Sequence, residues 1–297
     1  ILSGLVGSEM CIRDRTRIVA LESLVSLKDK EAGTLGRKLT SDTDARVRAA
    51  GWRAIAKVEG NKALADLIKV AREASPVERQ AALASLAKSG SKEVEALMLE
   101  LLEAAANDKL PKVMDLELQE AAGAVKSPAV AKALAALGEK NKALALEGFE
   151  SCLEGGDAEK GRQLFLYKGE LACQRCHQVG DAGGIVGPAL NDIGAKKDRK
   201  YLIESIAFPN RHIAQGFETI VLTLSSGKTR AGILKSEDAK EVTLLTSDGE
   251  TVKIAKSDIE ERQRGPSAMP ADMTKHLTKA ELRDIVEFLS TLKVPTK

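Results

Sequence analysis

The stretch Cys173-Gln-Arg-Cys-His177 is the part of this chain from which its fold can be worked outward. Two cysteines three positions apart, followed directly by a histidine, form the C-x-x-C-H pattern of covalent haem attachment. The spacing has a chemical reason, because each thiol can form a thioether with one vinyl group of the same porphyrin. The histidine can then give an imidazole nitrogen to the iron. The motif therefore predicts a c-type haem site.

Two other uses of a C-x-x-C pair fit the surrounding sequence less well. A thioredoxin-type redox pair needs a βαβ context, which residues 160–200 do not offer. Half of a zinc site would need a second pair of ligands. The remaining cysteines, Cys11 and Cys152, are isolated, and His212 and His276 stand far apart in the sequence.

The composition indicates a helical protein with a mixed-charge surface. Of the 297 residues, 45 are Lys or Arg and 43 are Asp or Glu, so no basic excess points to nucleic acid as a partner. Aromatic residues make up only 3%, which suits Ala- and Leu-rich helices better than a large β-sandwich core. No run of about 18 or more apolar residues occurs, so no transmembrane helix is expected.

The first fifteen residues, ILSGLVGSEMCIRDR, are similar to a translated sequencing adaptor and do not begin with methionine. We therefore expect residues 1–15 to be non-native and the true N-terminus to be missing. Under this interpretation Cys11 has no function. The lack of a signal sequence in this fragment then says nothing about localisation.

Residues 16–155 carry apolar positions at helical spacing, separated by short Gly-, Ser-, Pro- and Asp-rich breaks. The segments Arg48–Lys57 and Arg79–Lys88 align at an offset of 31 residues, and each is followed by a second amphipathic helix, at 61–73 and 92–106. Helix pairs that recur at this period predict an α-solenoid of HEAT or armadillo type. A scaffold or spacer is the simplest role for it, and a partner-docking surface is the alternative.

A weaker third unit is predicted at residues 116–125 and 129–137, and the repeats are predicted to end at residue 155. Gly155-Gly156 breaks the preceding helix, and Asp157 can cap the next one. Cys152, just before this break, is expected to be an inert, half-buried thiol.

Residues 156–297 are predicted to form the haem domain. A short amphipathic helix over 157–165 leads into the motif, and a last helix begins at the capping box Thr278–Glu281. Four apolar residues follow at helical spacing in this last helix: Leu282, Ile285, Val286 and Leu289. A first helix, C-x-x-C-H and a last helix that crosses the first together resemble a small class I cytochrome c.

This resemblance implies a hydrogen-bond partner for the haem histidine. In class I cytochromes a proline carbonyl accepts the imidazole N–H, and Pro188, within the glycine-rich segment 183–190, matches that proline. Such a bond would fix the His177 ring and raise its basicity. An ordinary loop is the alternative. The glycines of the segment suit a close approach of backbone to the porphyrin edge.

Met269 is predicted to be the second axial ligand. It lies in the segment Ser-Ala-Met-Pro, residues 267–270, whose proline keeps the backbone out of a helix. Met273 is the near rival, and His212 and His276 are weaker candidates because no bis-histidine motif is present. A histidine and a methionine together leave no open position for substrate and raise the reduction potential.

Residues 217–264 change from helical to strand-like patterning. His177 and Met269 are 92 positions apart, which is long for a small cytochrome, and removal of 217–264 leaves 44. Ser226-Gly227 and Asp248-Gly249 provide hairpin turns. Four strand-like runs lie between these turns and other breaks, at residues 218–224, 229–235, 241–246 and 251–255. We predict a small antiparallel β module inserted before the methionine.

The motifs GRQLF, CQRCH, GGIVGPALNDIGAKKDRKYLIESIAFPNRHIAQGFE, the strand region, SAMP and the last helix occur in that order. In the identity and order of these motifs, residues 156–294 resemble a haem-binding domain of Planctomycetes and Verrucomicrobia. That domain often follows HEAT repeats, which in turn often follow a β-propeller similar to quinoprotein sugar dehydrogenases. The resemblance implies a periplasmic or otherwise extracytoplasmic location. Together with the adaptor-like start, the resemblance leads us to expect that this chain is the C-terminal part of a larger, quinoprotein-like dehydrogenase.

The sequence as a whole predicts a mainly α protein, with a HEAT-like solenoid followed by a class I-like cytochrome c domain that carries an inserted β module. The expected function is electron transfer, not enzymatic turnover, through one covalent haem c anchored by Cys173 and Cys176 and ligated by His177 and Met269. The expected partners are redox proteins, with a dehydrogenase as donor and a cytochrome or oxidase as respiratory acceptor. The alternatives are a haem enzyme or gas sensor with an open sixth site, and a solenoid interaction scaffold.

Overall fold

The computed structural model describes residues 2–87 and 89–294. It divides into two compact units, one ending at Ala145 and the other beginning at Leu146. Among the described residues, none of the helices combines the length and apolar character that crossing a membrane requires.

The division between the units lies ten residues before the boundary predicted from the glycine pair at 155–156. Leu146 and Cys152 are fully buried in the core of the second unit, so the segment before the glycine pair belongs with it. Cys152 was expected to be half-buried and is instead completely buried, with its Sγ 3.4 Å from the carbonyl oxygen of Lys279. Residue 1 and the side chain of Cys11, which fall in the segment expected to be non-native, lie outside the described residues.

The first unit contains eight α-helices in the described residues, joined by short turns and single 3-10 turns. Side-chain caps and prolines set where several of them begin: Asp44, Ser91 and Ser127 accept hydrogen bonds from the first turns of their helices, and Pro76 and Pro128 occupy first-turn positions. The helices are α1 (Leu2–Ser26), α2 (Ala32–Leu39), α3 (Ala45–Glu59), α4 (Leu64–Glu73), α5 (Pro76–Leu86), α6 (Lys92–Ala106), α7 (Asp115–Ala124) and α8 (Pro128–Asn141).

The repeat predicted from the sequence is visible in the core of this unit. Ile55 and Leu86, which align at the 31-residue offset, are both buried in one apolar cluster. Side-chain hydrogen bonds between successive repeats recur at separations of 28 to 33 residues. They are Glu22–Arg53, Arg48–Glu78, Arg72–Glu100, Gln80–Val113 and Asp108–Lys140. Each helix pair is therefore tied to the next in the manner of a solenoid.

The second unit is built around two crossing helices from its two ends. Its helices are α9 (Ala158–Tyr167), α10 (Cys173–Cys176), α11 (Ile193–Lys196), α12 (Arg199–Ala207) and α13 (Lys279–Thr291). The predicted capping box of α13 is present, and its four predicted apolar positions are buried. The predicted crossing of α9 and α13 is confirmed at Gly161, where a Cβ atom would lie only 1.8 Å from the carbonyl oxygen of Asp284. Phe165 of α9 packs on Phe288 of α13, with 5.7 Å between ring centroids.

The inserted module is an antiparallel sheet with the strand order β4-β3-β2-β1-β5. Its strands are β1 (Thr219–Leu224), β2 (Thr229–Glu237), β3 (Glu241–Leu245), β4 (Thr251–Ala255) and β5 (Ile259–Arg264). The first four match the predicted runs to within two residues at each end. The sequence did not indicate β5, because Ile259 is followed by polar residues only and the strand forms an exposed edge. One face of the sheet buries Leu222, Val242, Leu244 and Ile254 in a core of its own.

Candidate functional site

The C-x-x-C-H motif forms a single helical turn, α10, whose start is set by Ala172 in the left-handed region at φ 46°. The turn ends at His177, where the backbone becomes extended. The N–H of Gly187 then donates to the carbonyl oxygen of Cys176 over 2.7 Å, so the following segment folds back on the motif. The motif and this segment thus form one compact loop.

The side chain of His177 is fixed from behind by Pro188. Its Nδ1 lies 2.9 Å from the Pro188 carbonyl oxygen, which can only accept, so Nδ1 carries the proton and Nε2 is left as a base. Burial lowers the pKa of His177, with the Pro188 contact acting in the opposite direction. The imidazole is therefore neutral at neutral pH and can give a lone pair to a metal.

Gly187 is required for the position of this ring. A Cβ atom at residue 187 would lie 2.5 Å from Cε1 of His177, closer than side chains approach one another. The glycine-rich segment was expected to make room for a porphyrin edge. At Gly187 the structure shows a second reason, since the histidine itself occupies the space that a side chain would need.

His177 faces a cavity of about 250 Å³. Most of its wall is apolar and comes from helices and loops of the second unit, including Phe165, Leu171, Leu190, Leu202, Ile206, Ile285 and Leu289. Both motif cysteines line it, and burial raises the pKa of the Cys173 thiol to about 11. Lys197 is the one lysine or arginine, and no aspartate or glutamate appears, among the described residues that line the cavity.

Both candidate methionines reach this cavity. Met269 is half-buried in the loop that follows β5, with its backbone N–H donating to Ser267 Oγ over 3.1 Å. Met273 is buried, at the start of the short helix Met273–His276. The structure therefore brings both sulfur-bearing residues to the wall that His177 also lines, and does not choose between them.

The two other histidines differ from each other. His212 lines the cavity, but its side chain is half exposed, stacks on Tyr201 and lies 3.5 Å from Glu204. His276 is not part of the lining. Lys197 and Tyr201 were missed by reasoning from the sequence. The cation of Lys197 lies 4.3 Å from the centre of the Tyr201 ring, and a lysine and tyrosine four apart around a helix start were the only available signal.

The donor set fits a c-type haem. Two thiols lie three positions apart on one helical turn, and the adjacent imidazole is neutral with a bare nitrogen. Met269 and Met273 line the same cavity, and the rest of its wall is apolar enough to exclude water from a porphyrin.

Comparison with known protein families finds HEAT repeats at residues 13–87 and a cytochrome c domain at residues 158–245. The second match includes α9, the C-x-x-C-H motif and the sheet as far as β3, and both Met269 and Met273 lie beyond it. No curated protein matches the chain. The cytochrome c family implies covalently bound haem c and an electron-carrier role rather than that of a classical enzyme.

Proposed function

We propose that the second unit is an electron-transfer module that holds one covalent haem c and cycles its iron between Fe(III) and Fe(II). The observation that carries the proposal is the hydrogen bond from His177 Nδ1 to Pro188, which leaves Nε2 bare in an apolar cavity lined by both motif thiols. A bound haem would supply the one-electron chemistry. The residues of the chain have the separate tasks of holding it, ligating it and keeping water away.

Cys173 and Cys176 would anchor the ring, since each thiol can be converted to a thioether with one vinyl group. His177 would hold the iron through Nε2, and its bond to Pro188 would keep the imidazole in one orientation and increase its basicity. Met269 would be the other ligand, with Met273 as the rival. Two strong ligands and an apolar wall limit rearrangement on electron transfer.

The partners we propose are redox proteins, with a dehydrogenase as electron donor and a respiratory cytochrome or oxidase as acceptor. The order of HEAT repeats before the haem domain supports a link to a dehydrogenase, because in the domain family that residues 156–294 resemble such repeats often follow a quinoprotein-like propeller. We further propose an extracytoplasmic location, where thioether attachment takes place in that family.

The proposal is tested by producing the whole chain, exported behind a leader, in a bacterium that matures c-type cytochromes. We expect a mass increase of one haem, a haemochrome spectrum with two thioether links and reversible reduction. Replacement of both Cys173 and Cys176 by alanine should abolish attachment, while Cys152→Ala is the matched control and should keep it. Purification of the wild type without haem would contradict the proposal and favour a scaffold.

The second axial ligand is tested by comparing Met269→Ala with Met273→Ala in the haem-loaded protein. Loss of the thioether-to-iron absorption band of the ferric form in Met269→Ala alone is the expected result. Loss in Met273→Ala alone would transfer the role to Met273. A wild-type ferric form that is high-spin, and binds carbon monoxide readily when reduced, would instead indicate an open sixth site.

A further inference from the structure

The inserted sheet lies in the chain between the two candidate ligand loops. Phe217, which lines the cavity, comes just before β1, and β5 ends five residues before Met269. The proposed electron transfer does not account for this sheet. Its contacts with the loop that carries His177 and the loop that carries Met269 indicate a role.

The first contact is with the histidine loop. Ile233 of β2 and Leu245 of β3 are buried together with Val186, and Cys176 and Phe217 pack against the same cluster. Val186 directly precedes the glycine that touches the His177 ring. This face of the sheet therefore supports the loop that carries the second motif cysteine and the histidine.

The second contact is with the methionine loop. Thr219, at the start of β1, is buried, and its hydroxyl donates to the carbonyl oxygen of Pro266. The carbonyl oxygen of Thr219 accepts the N–H of Gly265 over 2.9 Å. Met269 follows three residues after Pro266. The methionine loop is thus fastened to β1 where it leaves the sheet.

The two contacts are adjacent within the sheet. Ile233 is the direct cross-strand partner of Leu245 on one side and of Thr219 on the other. Residues directly opposite each other in antiparallel strands point to the same face. Leu245, Ile233 and Thr219 therefore form one row across three strands, which we call the bracket row, from the histidine loop to the methionine loop.

We propose that the bracket row holds the methionine loop in register with the histidine loop, so that the inserted sheet determines how firmly the methionine stays on the cofactor. This inference rests on the proposed function. The three members of the bracket row are positioning residues, since they contact the two loops and do not line the cavity. A neutral thioether is displaced more readily when its loop is released, and the fraction of molecules with an open position then sets the apparent affinity for an added ligand.

The test is cyanide binding to the ferric, haem-loaded full chain, with Leu245→Ala compared with Leu244→Ala. The two leucines are neighbours on β3 and both are buried, but Leu244 belongs to the core on the opposite face. Both substitutions remove the same atoms from the sheet. We expect Leu245→Ala to bind cyanide about tenfold more tightly than the wild type. Leu244→Ala should stay within about twofold of the wild type.

Thr219 provides a second test that removes only a hydroxyl. Thr219→Val should tighten cyanide binding and weaken the thioether-to-iron band, whereas Thr219→Ser, which keeps the donor, should restore both. If Leu245→Ala is recovered without haem, this pair decides the question.

Equal cyanide affinities in Leu245→Ala and Leu244→Ala, or an effect of Thr219→Val that Thr219→Ser does not rescue, would overturn the bracket and leave the proposed function intact. A different result marks failure of the ligand assignment. If neither Met269→Ala nor Met273→Ala tightens cyanide binding relative to the wild type, methionine ligation is refuted, and the bracket with it.

Discussion

The contacts inside the first unit and those inside the second span different distances along the sequence. In the first unit, side-chain contacts between helices join residues about one repeat apart, such as Arg72 and Glu100. In the second, they join the ends of the unit: the N–H of Asp157 donates to Asp284, 127 positions away. A repeat array can lose one such contact locally, whereas the second unit depends on the closure of its ends.

This difference explains where the candidate chemistry lies. In the second unit the joined ends allow the loop after α9 and the loop before α13 to line one cavity. The sequence contains a single tryptophan, Trp52, which belongs to the first unit. Trp52 fluorescence and haem absorption therefore follow the two units separately.

The largest effect is expected from Gly161→Val at the crossing of α9 and α13. With a Cβ atom 1.8 Å from a backbone oxygen, the helices must move apart, so the second unit should lose about 3 kcal/mol or more of stability. Denaturant unfolding followed by haem absorption measures this, and the Trp52 transition should stay unchanged. The control is Gly138→Ala in α8, where a Cβ atom meets nothing within 4 Å; it should stabilise the first unit by up to about 1 kcal/mol. An equal loss at both positions would contradict the comparison.

A smaller loss is expected in the first unit from Glu78→Gln. The Glu78 carboxylate is buried and accepts from Arg48 over 2.9 Å, from the Ser75 hydroxyl over 2.6 Å and from the Trp52 indole over 3.3 Å. Burial alone would raise the pKa of Glu78, but these hydrogen bonds hold it below its ordinary value of 4.5. The ionised group therefore stabilises the fold above pH 4.5, and this contribution is lost as the pH falls through the lowered pKa. At neutral pH we expect a loss of about 2 kcal/mol.

The measurement is urea unfolding followed by Trp52 fluorescence between pH 7 and pH 3. The difference between Glu78→Gln and the wild type should shrink below pH 4.5. A difference that stays constant across this range would show that packing, not ionisation, is responsible.

The helices and caps of both units could be predicted from the sequence because they depend on local patterns. The features that depend on pairing between distant residues were missed. The helix pairs around Ile55 and Leu86 and the capping box at Thr278 are local patterns, and each is present in the structure. The edge strand β5 was missed because it is polar and pairs with β1, more than thirty positions earlier in the chain. The same holds for the row of Leu245, Ile233 and Thr219, whose members become neighbours only when the strands align.

The candidate site also has parts that the sequence indicates and parts that it does not. The C-x-x-C-H residues could be proposed from the sequence because their spacing suits two thioethers and one imidazole ligand on the same haem. The choice between Met269 and Met273 could not, since both lie on the segment that leads into α13 and both line the cavity. Lys197 and Tyr201 had no motif, and only the packing of α12 and of the end of α11 against the cavity brings them to the site.

A gain in stability is expected from Asp284→Asn in the second unit, opposite in sign to Glu78→Gln. Burial raises the pKa of Asp284 above its ordinary value of 3.8, although the N–H of Asp157 lies 2.7 Å away. Ionisation of Asp284 therefore costs stability as the pH rises from 3.8 through the raised pKa, and the cost is complete above it. Asparagine keeps the acceptor oxygen without the charge, so we expect a gain of about 1 kcal/mol at neutral pH. Unfolding followed by haem absorption at pH 7 and pH 4 checks this, and a gain that does not diminish at pH 4 would contradict it.

Arg72→Gln, which removes one of the contacts between repeats, is expected to lower the free energy of unfolding the least. Urea unfolding with and without added salt measures this, followed by Trp52 fluorescence for the first unit and by haem absorption for the second. The Arg72 guanidinium lies 2.7 Å from the Glu100 carboxylate, the same distance as between Arg199 and Glu287 in the second unit. The two pairs differ in exposure, with side chains 41% and 50% exposed in the first and 31% and 22% in the second. Solvent screening should limit the effect of Arg72→Gln to about 0.5 kcal/mol, and added salt should abolish it. Arg199→Gln should cost about 1 to 2 kcal/mol and respond less to salt, because Arg199 also donates to the carbonyl of Leu153. Equal salt-sensitive losses in the two variants would show that the contacts of the two units differ in range but not in strength.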